Sequence, residues 1–289
     1  MSIKLLAGGG LGNQLAEYSA ARALALRRGT DLIVDTRFYP KDSMGGAKGF
    51  WLDHFPINAK IVSYQGSRLS AHHPIRRVLR SVLTERPSRR YVERSLKYDP
   101  AFFDLEDGST ISGVFLCPAY FESEFNQIKS ELDLLESGQV KRTEMIDGCP
   151  ISDYIGIHVR RGDYLDPGPS QLFNVVDRES YYAAALNVIT EIAGKRPLLL
   201  VSDDIEWCRT RLYFESAVFW QPPEPQPPYH DLFLLSQCGA LIIANSTFSW
   251  WAAWFASRRR DFVFQGRCRC LHVLCAVRFS GHRHPYPGV

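Results

Sequence analysis

The chain has 289 residues, of which 45% are hydrophobic and 22% are charged, and this ordinary globular composition excludes an intrinsically disordered protein. A formal net charge of +3 is too small for a nucleic-acid-binding domain, so no nucleic-acid partner is expected. The sequence has no run of about 18 or more apolar residues that would predict a transmembrane helix.

The cellular compartment is indicated by the first residues and by the cysteines. The N-terminus runs directly into glycines and lacks the apolar core of a secretory signal, which predicts a protein that is not exported. Seven cysteines at irregular spacing do not resemble the disulfide framework of a secreted domain. We therefore expect a cytoplasmic protein, with any membrane contact peripheral.

A basic segment lies between Arg68 and Lys97, where nine arginines and lysines accompany only two glutamates. Such a run is usually a solvated helix face. It also fits contact with an anionic membrane surface or with a lipid-linked acceptor. Both interpretations stay open.

Alternating apolar runs and amphipathic segments predict an α/β protein of two lobes. Strands are predicted at 3–7, 31–35, 154–159, 197–201 and 240–244, and helices at 16–28, 179–192 and 231–238. Gly29 is placed to end the first helix. Units of this kind build a parallel sheet with helices on its faces. With a linker near 137–150, the lobes are residues 1–150 and 151–289.

A glycine-rich turn joins the first predicted strand to the first helix, with glycines at positions 8, 9, 10 and 12. Residues without side chains let a ligand approach the backbone closely, although a tight turn alone explains them equally well. The amides of Asn13 and Gln14 are expected at the helix start, where they can donate to phosphate or sugar oxygens. The candidate ligand-binding residues here are Gly10, Gly12 and Asn13.

A second motif, His158-Val159-Arg160-Arg161-Gly162-Asp163, covers the end of an apolar strand. Alternate strand residues share a face, so His158 and Arg160 are expected to point the same way. Two guanidiniums at a strand end suit a diphosphate, because their planar forks bond phosphate oxygens in pairs. The alternatives are an ion pair of Arg161 with Asp163, and a buried, satisfied imidazole for His158.

A third motif, Ser202-Asp203-Asp204, follows the strand predicted at 197–201. A carboxylate there can accept from the N1–H and the exocyclic amine of guanine, which makes Ser202 and Asp203 candidate nucleotide-binding residues. Either residue is equally suited to cap the helix that follows. Paired aspartates could also hold a metal, but no further acidic ligand stands at a telling spacing, so no metal is expected.

The fourth motif, Asn245-Ser246-Thr247, stands between a strand and an aromatic helix. Hydroxyls and free N–H groups at a helix N-terminus bind phosphate, so these three residues are candidate pyrophosphate ligands. The tryptophans at positions 250, 251 and 254 are expected to pack into the core.

These four motifs, in this order, resemble the motif set of the α-1,2-fucosyltransferases, glycosyltransferase family 11. The resemblance covers about residues 3–255, and the arginine motif is shared more loosely with α-1,6- and protein O-fucosyltransferases. It implies a GT-B fold of two Rossmann-like lobes with parallel sheets and a cleft between them. It further implies an acceptor-side N-terminal lobe, a C-terminal lobe that binds the donor GDP-fucose, inversion at the anomeric carbon, and no metal or other cofactor.

The resemblance also implies a reaction, the transfer of L-fucose to the 2-hydroxyl of a terminal galactoside in surface-glycan or O-antigen synthesis. In such a displacement Arg160 and the helix start at Ser246 are expected to stabilise departing GDP. His158 is expected to orient the fucose or the phosphate. For the base that takes the acceptor proton, Asp163 is the first candidate and Glu17 the second.

The resemblance ends near Phe264, and the remaining tail carries three of the seven cysteines. We hypothesise that this tail is frame-shifted or otherwise altered; its Cys268, Cys270, His272 and Cys275 match no standard zinc module. Two other interpretations therefore stay open: a GDP-sugar-binding protein that the tail has inactivated, and a fucosyltransferase of different linkage. An NAD-dependent enzyme with Asp35 as its ribose ligand is the remaining alternative.

Overall fold

A computed structural model describes residues 2–39, 49–63, 89–161, 178–222 and 224–259, together with the backbone of 262–265 and 275–278. The chain divides into two compact units, Met1–Gln139 and Val140–Val289. The boundary between them falls near the start of the stretch that the sequence predicts as a linker.

The first unit is built on a five-stranded parallel sheet in the order β3-β2-β1-β5-β4. Its strands are β1 (Ser2–Leu6), β2 (Asp31–Asp35), β3 (Lys60–Val62), β4 (Arg90–Val92) and β5 (Thr110–Ser112). Its helices are α1 (Leu11–Arg28) and α2 (Phe125–Leu132), with 3₁₀ turns at Leu52–His54, Pro100–Asp104, Pro118–Tyr120 and Glu122–Glu124. The predicted strand–helix–strand start of the chain is confirmed.

Helix α1 begins at Leu11, five residues before the start that the sequence predicts. Glycine and asparagine are poor helix formers, but thirteen residues of α1 are buried, and this packing outweighs the weak propensity of its first turn. The predicted end is confirmed, because Gly29 has a left-handed φ of 62° and its N–H donates to Leu26 O at 3.1 Å.

The second unit contains a six-stranded sheet in the order β10-β9-β8-β11-β13-β12. Its strands are β8 (Ile155–Val159), β9 (Leu198–Ser202), β10 (Ala217–Phe219), β11 (Ala240–Ile242), β12 (Phe262–Gln265) and β13 (Cys275–Arg278), and a separate pair is formed by β6 (Met145–Ile146) and β7 (Cys149–Pro150). Its helices are α3 (Arg178–Ala193), α4 (Ile205–Arg211), α5 (Pro228–Leu235) and α6 (Thr247–Arg259), with a 3₁₀ turn at Ile151–Asp153.

The tail changes the character of this sheet. Strands β8 to β11 are parallel, as expected, but β13 pairs antiparallel with both β11 and β12. The sheet is therefore mixed, because the chain returns along its edge after α6. Residues 266–274 and 279–289 lie outside the described residues, and the hypothesis of an altered tail stays a prediction.

Strand β8 is buried along its whole length in the middle of this sheet. On one face Ile155, Ile157 and Val159 pack in a cluster with Tyr182 and Ile189 of α3. Close packing on this face holds the strand in one position. The residues that follow β8 at its carboxyl end are therefore attached to a rigidly held strand.

Candidate active site

The carboxyl ends of parallel strands bring the second, third and fourth motifs to one edge of the sheet in the second unit. Strand β8 lies between β9 and β11, and Val159 pairs with Ser202 in the parallel register. The two arginines that follow β8 therefore lie beside the two aspartates that follow β9. Ligands of open α/β sheets bind at this edge.

Arg160 forms an ion pair with Asp203, whose Oδ2 lies 2.8 Å from Arg160 Nη1. The two side chains are 23% and 24% exposed, so solvent partly screens the pair. A more highly charged anion such as a diphosphate can replace the carboxylate on a guanidinium held in this way.

Arg161 is held by three contacts. Its backbone N–H donates to Asp203 Oδ1 at 2.8 Å, its Nε donates to Asp204 Oδ2 at 2.9 Å, and its guanidinium lies 4.2 Å from the centre of the Trp207 ring. The hydrogen bond from Arg161 holds the pKa of Asp204 below its usual range. The ion pair of Arg161 is therefore made with Asp204, while Asp163, the expected alternative, lies outside the described residues.

The third motif caps α4 through Asp204. Its Oδ1 accepts from the Trp207 N–H at 3.1 Å, and its own N–H donates to Ser202 Oγ at 3.0 Å. The prediction that Ser202 or Asp203 caps this helix is wrong, because the helix begins at Ile205 and Asp204 occupies the N-cap position. Both oxygens of Asp203 are already bonded to the arginines, which weakens its predicted role toward guanine.

His158 is buried at 5% exposure beside the first turn of α6, where its ring centre lies 5.0 Å from that of Phe248. Burial, and then the charge of Arg160, lower the pKa of its imidazole from 6.5 to about 3. Its Nδ1 is buried without a hydrogen-bond partner among the described residues, so the predicted alternative of a satisfied core histidine does not hold for this nitrogen. The imidazole is neutral at neutral pH.

The contact between His158 and Phe248 brings the fourth motif to the end of β8. Helix α6 begins at Thr247, directly after the buried Ser246. Ser249 Oγ donates to Ala244 O at 3.1 Å and so ties the first turn of α6 to the segment that follows β11. Asn245, Ser246 and Thr247 thus lie between β11 and α6, as predicted, at the same edge of the sheet as Arg160 and Arg161, which is named here the arginine edge. Trp251 and Trp254 are buried, as predicted, whereas Trp250 is only half-buried.

The glycine turn belongs to the first unit. The polar side chains near it mostly form hydrogen bonds that stabilise the fold. Gln14 Nε2 donates to Gly9 O at 3.0 Å and to Gly49 O at 2.8 Å, while its Oε1 accepts from the Trp51 N–H at 2.9 Å. The role predicted for Gln14 as a ligand donor is wrong, because the protein uses the whole amide. Gly9 has a φ of +76°, and a Cβ there would lie 2.6 Å from Asn13 Nδ2.

Gly10, Gly12 and Asn13 lie where this turn enters α1, with Gly10 at the N-cap and the other two in the first helical turn. Glu17, the second candidate base, is buried, and its Oε2 accepts from the Gly8 N–H at 2.8 Å. Asp35 is buried as well, and its carboxylate bonds the backbone and side chain of Arg37. This pairing argues against Asp35 as the ribose ligand of an NAD enzyme.

Comparison with known proteins decides the family. The model of the family described as Glycosyl transferase family 11 matches residues 108–264, which is more than half of the chain and includes three of the four motifs. The chain belongs to glycosyl transferase family 11. It is therefore a glycosyltransferase, and the alternative of an NAD-dependent enzyme is wrong.

Two relatives of this family 11 protein have names that state the glycosidic linkage they form. It is 26% identical over 256 residues to an α-1,2-colitosyltransferase from Escherichia coli, covering 85% of this chain and 84% of the relative. It is also 26% identical over 236 residues to galactoside α-(1,2)-fucosyltransferase 1 from Lagothrix lagotricha, covering 75% of this chain and 64% of the relative.

The fold agrees with that of a solved fucosyltransferase. The crystal structure of NodZ α-1,6-fucosyltransferase soaked with GDP-fucose matches with a TM-score of 0.50 and 15% identity, covering 96% of this chain and 98% of that one. The family 11 chain thus has the GT-B class of fold, with two α/β units, as the resemblance implies.

Asp231 is a candidate ligand that the motif analysis of this family 11 chain missed. It lies in the first turn of α5, where its Oδ1 accepts from Trp220 Nε1 at 3.0 Å and from Gln226 Nε2 at 2.9 Å. Trp220 directly follows β10, so this carboxylate lies at the same edge of the sheet as the arginines. Burial raises the pKa of Asp231, against its hydrogen bonds. Asp231 is the first residue of the helix predicted at 231–238, and this position was the one sequence signal that could have marked it as a ligand-binding residue.

The described ranges contain neither a metal-binding cluster nor a membrane-spanning helix. No group of three or more His, Cys, Asp or Glu side chains there is placed to hold a metal ion. In the same part of the chain, no helix has both the length and the apolar character needed to cross a bilayer.

Proposed function

We propose that this family 11 glycosyltransferase transfers L-fucose from GDP-fucose to the 2-hydroxyl of a terminal galactoside, with inversion and without a metal. The observation that carries the proposal is the arginine edge of the second unit. There Arg160 and Arg161 follow β8 and α6 begins after the neighbouring strand β11, so two guanidiniums and a helix N-terminus lie at the same edge of the sheet. This combination suits a nucleoside diphosphate.

The donor diphosphate takes the place of Asp203 on Arg160. As the bond between the sugar C1 and the phosphate oxygen breaks, the departing GDP gains negative charge. A guanidinium fixed at the end of a buried strand stabilises that charge more in the transition state than in the bound donor. Ser246 and Thr247 at the start of α6 hold the pyrophosphate from the other side, with Asn245 beside them.

The guanine base is read by Asp231 rather than by Asp203. Guanine presents two donors, N1–H and the exocyclic amine, and requires a carboxylate oxygen that the protein has not already used. Both oxygens of Asp203 bond the arginines, whereas the described hydrogen bonds of Asp231 reach only Oδ1. Ser202 supports this edge by holding the Asp204 N–H.

The reaction is a single displacement. The acceptor 2-hydroxyl oxygen attacks C1 of fucose, its proton passes to a base, and GDP leaves with the electron pair of the broken bond. Asp163 remains the first candidate for the base because it lies only two residues after Arg161, next to the proposed phosphate site. Glu17 is the weaker candidate, since its buried carboxylate already holds the Gly8 N–H. The role of neutral His158, which lies beside the first turn of α6, is to orient the sugar phosphate.

The relatives support the linkage more strongly than the donor. Both are named for α-1,2 transfer, one of colitose and the other of fucose, and this chain is 26% identical to each. Transfer of colitose is therefore the second candidate function. In either case the acceptor is a galactose-terminated oligosaccharide or lipid-linked glycan, in the assembly of a surface glycan or O-antigen. A protein that binds GDP-sugars but is inactivated by its tail is the third outcome to test.

The first experiment measures acceptor-dependent release of GDP from GDP-fucose and from GDP-colitose, with lactose or N-acetyllactosamine as acceptor and with EDTA present or absent. We expect EDTA-resistant release from GDP-fucose that Arg160→Ala lowers by about 100-fold or more. Arg27→Ala, which removes an exposed surface arginine of α1, is the matched control and should leave the rate unchanged.

Each contrary outcome has a distinct meaning. Faster release from GDP-colitose moves the donor to colitose. Binding of GDP without turnover on either donor supports the inactivated form. A requirement for added metal after EDTA treatment contradicts the metal-independent mechanism, and failure to bind GDP contradicts the proposal as a whole.

A further inference from the structure

A loop at residues 92–98 of the first unit, named here the basic-apolar loop, exposes an unusual share of large apolar side chains. Seven such side chains are exposed in the described part of the chain, and three of them fall within these seven consecutive residues. They are Val92 at 37%, Leu96 at 48% and Tyr98 at 38% exposure. Exposed apolar groups are common singly, but a cluster of them indicates a contact surface.

The same loop carries positive charge. Arg94 and Lys97 are exposed and alternate with the apolar residues. The acid within the loop, Glu93, is turned inward, where its Oε2 accepts from the Val114 N–H at 2.7 Å and the Phe115 N–H at 2.9 Å. The outer surface of the loop is therefore cationic as well as apolar.

The exposure is enforced by the fold. Glu93 anchors the start of the loop to the segment after β5, and Asp99 anchors its end by accepting from the Tyr91 hydroxyl at 3.0 Å. Tyr120, which is fully buried, accepts from the Asp99 N–H at 3.0 Å, and its ring meets that of Tyr98 edge-on at 5.0 Å. Both ends and one side chain are thus fixed, so the apolar residues are held out toward solvent.

From this combination we infer that the basic-apolar loop is a docking surface for an anionic lipid bilayer. Leu96 and Tyr98 enter the interfacial layer, where an aromatic ring with a polar tip is favoured. Arg94 and Lys97 bind the phosphate groups around them. Alternation of apolar and cationic side chains on one projecting loop matches a bilayer surface, whose apolar and anionic layers lie side by side. The inference does not depend on which sugar the enzyme transfers.

Co-sedimentation with vesicles tests the inference. We expect the full chain to bind vesicles that contain phosphatidylglycerol, to bind pure phosphatidylcholine vesicles far more weakly, and to be released as the salt concentration rises. The double variants Arg94→Glu/Lys97→Glu and Leu96→Ser/Tyr98→Ser should each lower the apparent affinity by about tenfold or more.

Matched controls come from the second unit, which also carries exposed residues of both kinds. Lys141→Glu/Arg142→Glu makes the same change in charge, and Met145→Ser/Tyr213→Ser makes a similar change in exposed apolar area. Both should change vesicle affinity by less than about twofold, because they leave the basic-apolar loop unaltered. Melting temperatures of all four variants establish that they are folded.

Three results would overturn the inference. The first is no binding of the unaltered chain to anionic vesicles, and the second is equal loss of binding in the loop variants and the controls. The third is loss of turnover on a disaccharide acceptor in the loop variants with vesicle binding unchanged, which would assign the loop to the acceptor instead. Failure of the proposed fucose transfer would leave vesicle binding unaffected.

Discussion

The glycine turn of the first unit and the arginine edge of the second both carry polar side chains that the sequence assigns to a ligand, yet the structure uses them differently. In the glycine turn, Gln14 and Glu17 are buried, and their polar groups bond the backbone of the turn and of the segment at 49–51. At the arginine edge, Arg160 and Asp203 are about a quarter exposed and bond each other. Polar side chains in the two places therefore have different partners and different access to solvent.

The difference separates residues that build a site from residues that bind the ligand. A buried amide whose hydrogen bonds are all made by the protein cannot exchange them without unfolding the turn. A partly exposed ion pair gives up little when one partner is replaced by another anion. We therefore expect mutations in the glycine turn to act mainly on stability, and mutations at the arginine edge to act mainly on donor binding and turnover.

The largest effect on stability is expected from Gln14→Ala. It leaves Gly9 O, Gly49 O and the Trp51 N–H without their partner, which should lower the free energy of unfolding by about 2–4 kcal/mol. Denaturant unfolding checks this value, and Gln127→Ala on the exposed side of α2 is the matched control. A Gln14→Ala protein of unchanged stability but weakened GDP binding would contradict this expectation, because it would show that Gln14 binds the ligand.

His158 allows the comparison to be tested by pH. Its imidazole has a pKa of about 3 in the folded protein and an ordinary value of 6.5, so between these values only the unfolded chain binds the proton. The stability contribution is fully present above about pH 6.5 and is lost as the pH falls, by about 1.4 kcal/mol per pH unit. Unfolding free energies between pH 7 and pH 5, at about unit intervals, measure this slope.

The matched variants for this pH series are His158→Gln and His54→Gln, the second at an exposed histidine. The first should flatten the slope and the second should not. Asp204, whose pKa is lowered by Arg161, contributes only at lower pH, so it does not confuse the result. An unchanged slope in His158→Gln would show that the imidazole has the same protonation state in the folded and the unfolded chain, which contradicts the lowered pKa.

The sequence predicts the strands and helices better than it predicts which side chains bond each other. Apolar runs and glycine positions place β1, α1 and β2 correctly, and they place the two arginines at a strand end, because burial and turn geometry act on neighbouring residues. The first turn of α1 was missed, since its packing comes from residues distant in the chain. Asp204 as a cap was missed because three adjacent polar residues can each cap a helix, and only the geometry of the strand end selects one.

The ion pairs at the arginine edge could not be predicted from local sequence. Arg160 and Asp203 meet because β8 and β9 are neighbours with Val159 opposite Ser202, and this register depends on the whole sheet. Asp231 was missed for the same reason, as its partners Trp220 and Gln226 precede it on a separate strand end and loop. Contacts set by sheet order become visible only in three dimensions.

Asp203→Asn gives the smallest expected effect and the sharpest test of the comparison. The amide oxygen can still accept from the Arg161 N–H, but the charge that competes with a diphosphate for Arg160 is removed. Because the pair is partly exposed, the free energy of unfolding should change by less than about 1 kcal/mol. GDP should bind more tightly by about three- to tenfold, with a steeper dependence on salt, since the positive charge of Arg160 is no longer neutralised by Asp203.

Calorimetric titration measures both the affinity and its salt dependence. As a control, Asp231→Asn, which removes the oxygen proposed to read guanine, should weaken GDP binding instead. Weaker binding in Asp203→Asn would mean that Asp203 itself contacts the nucleotide, so that the ion pair belongs to the bound state and Arg160 is never exchanged.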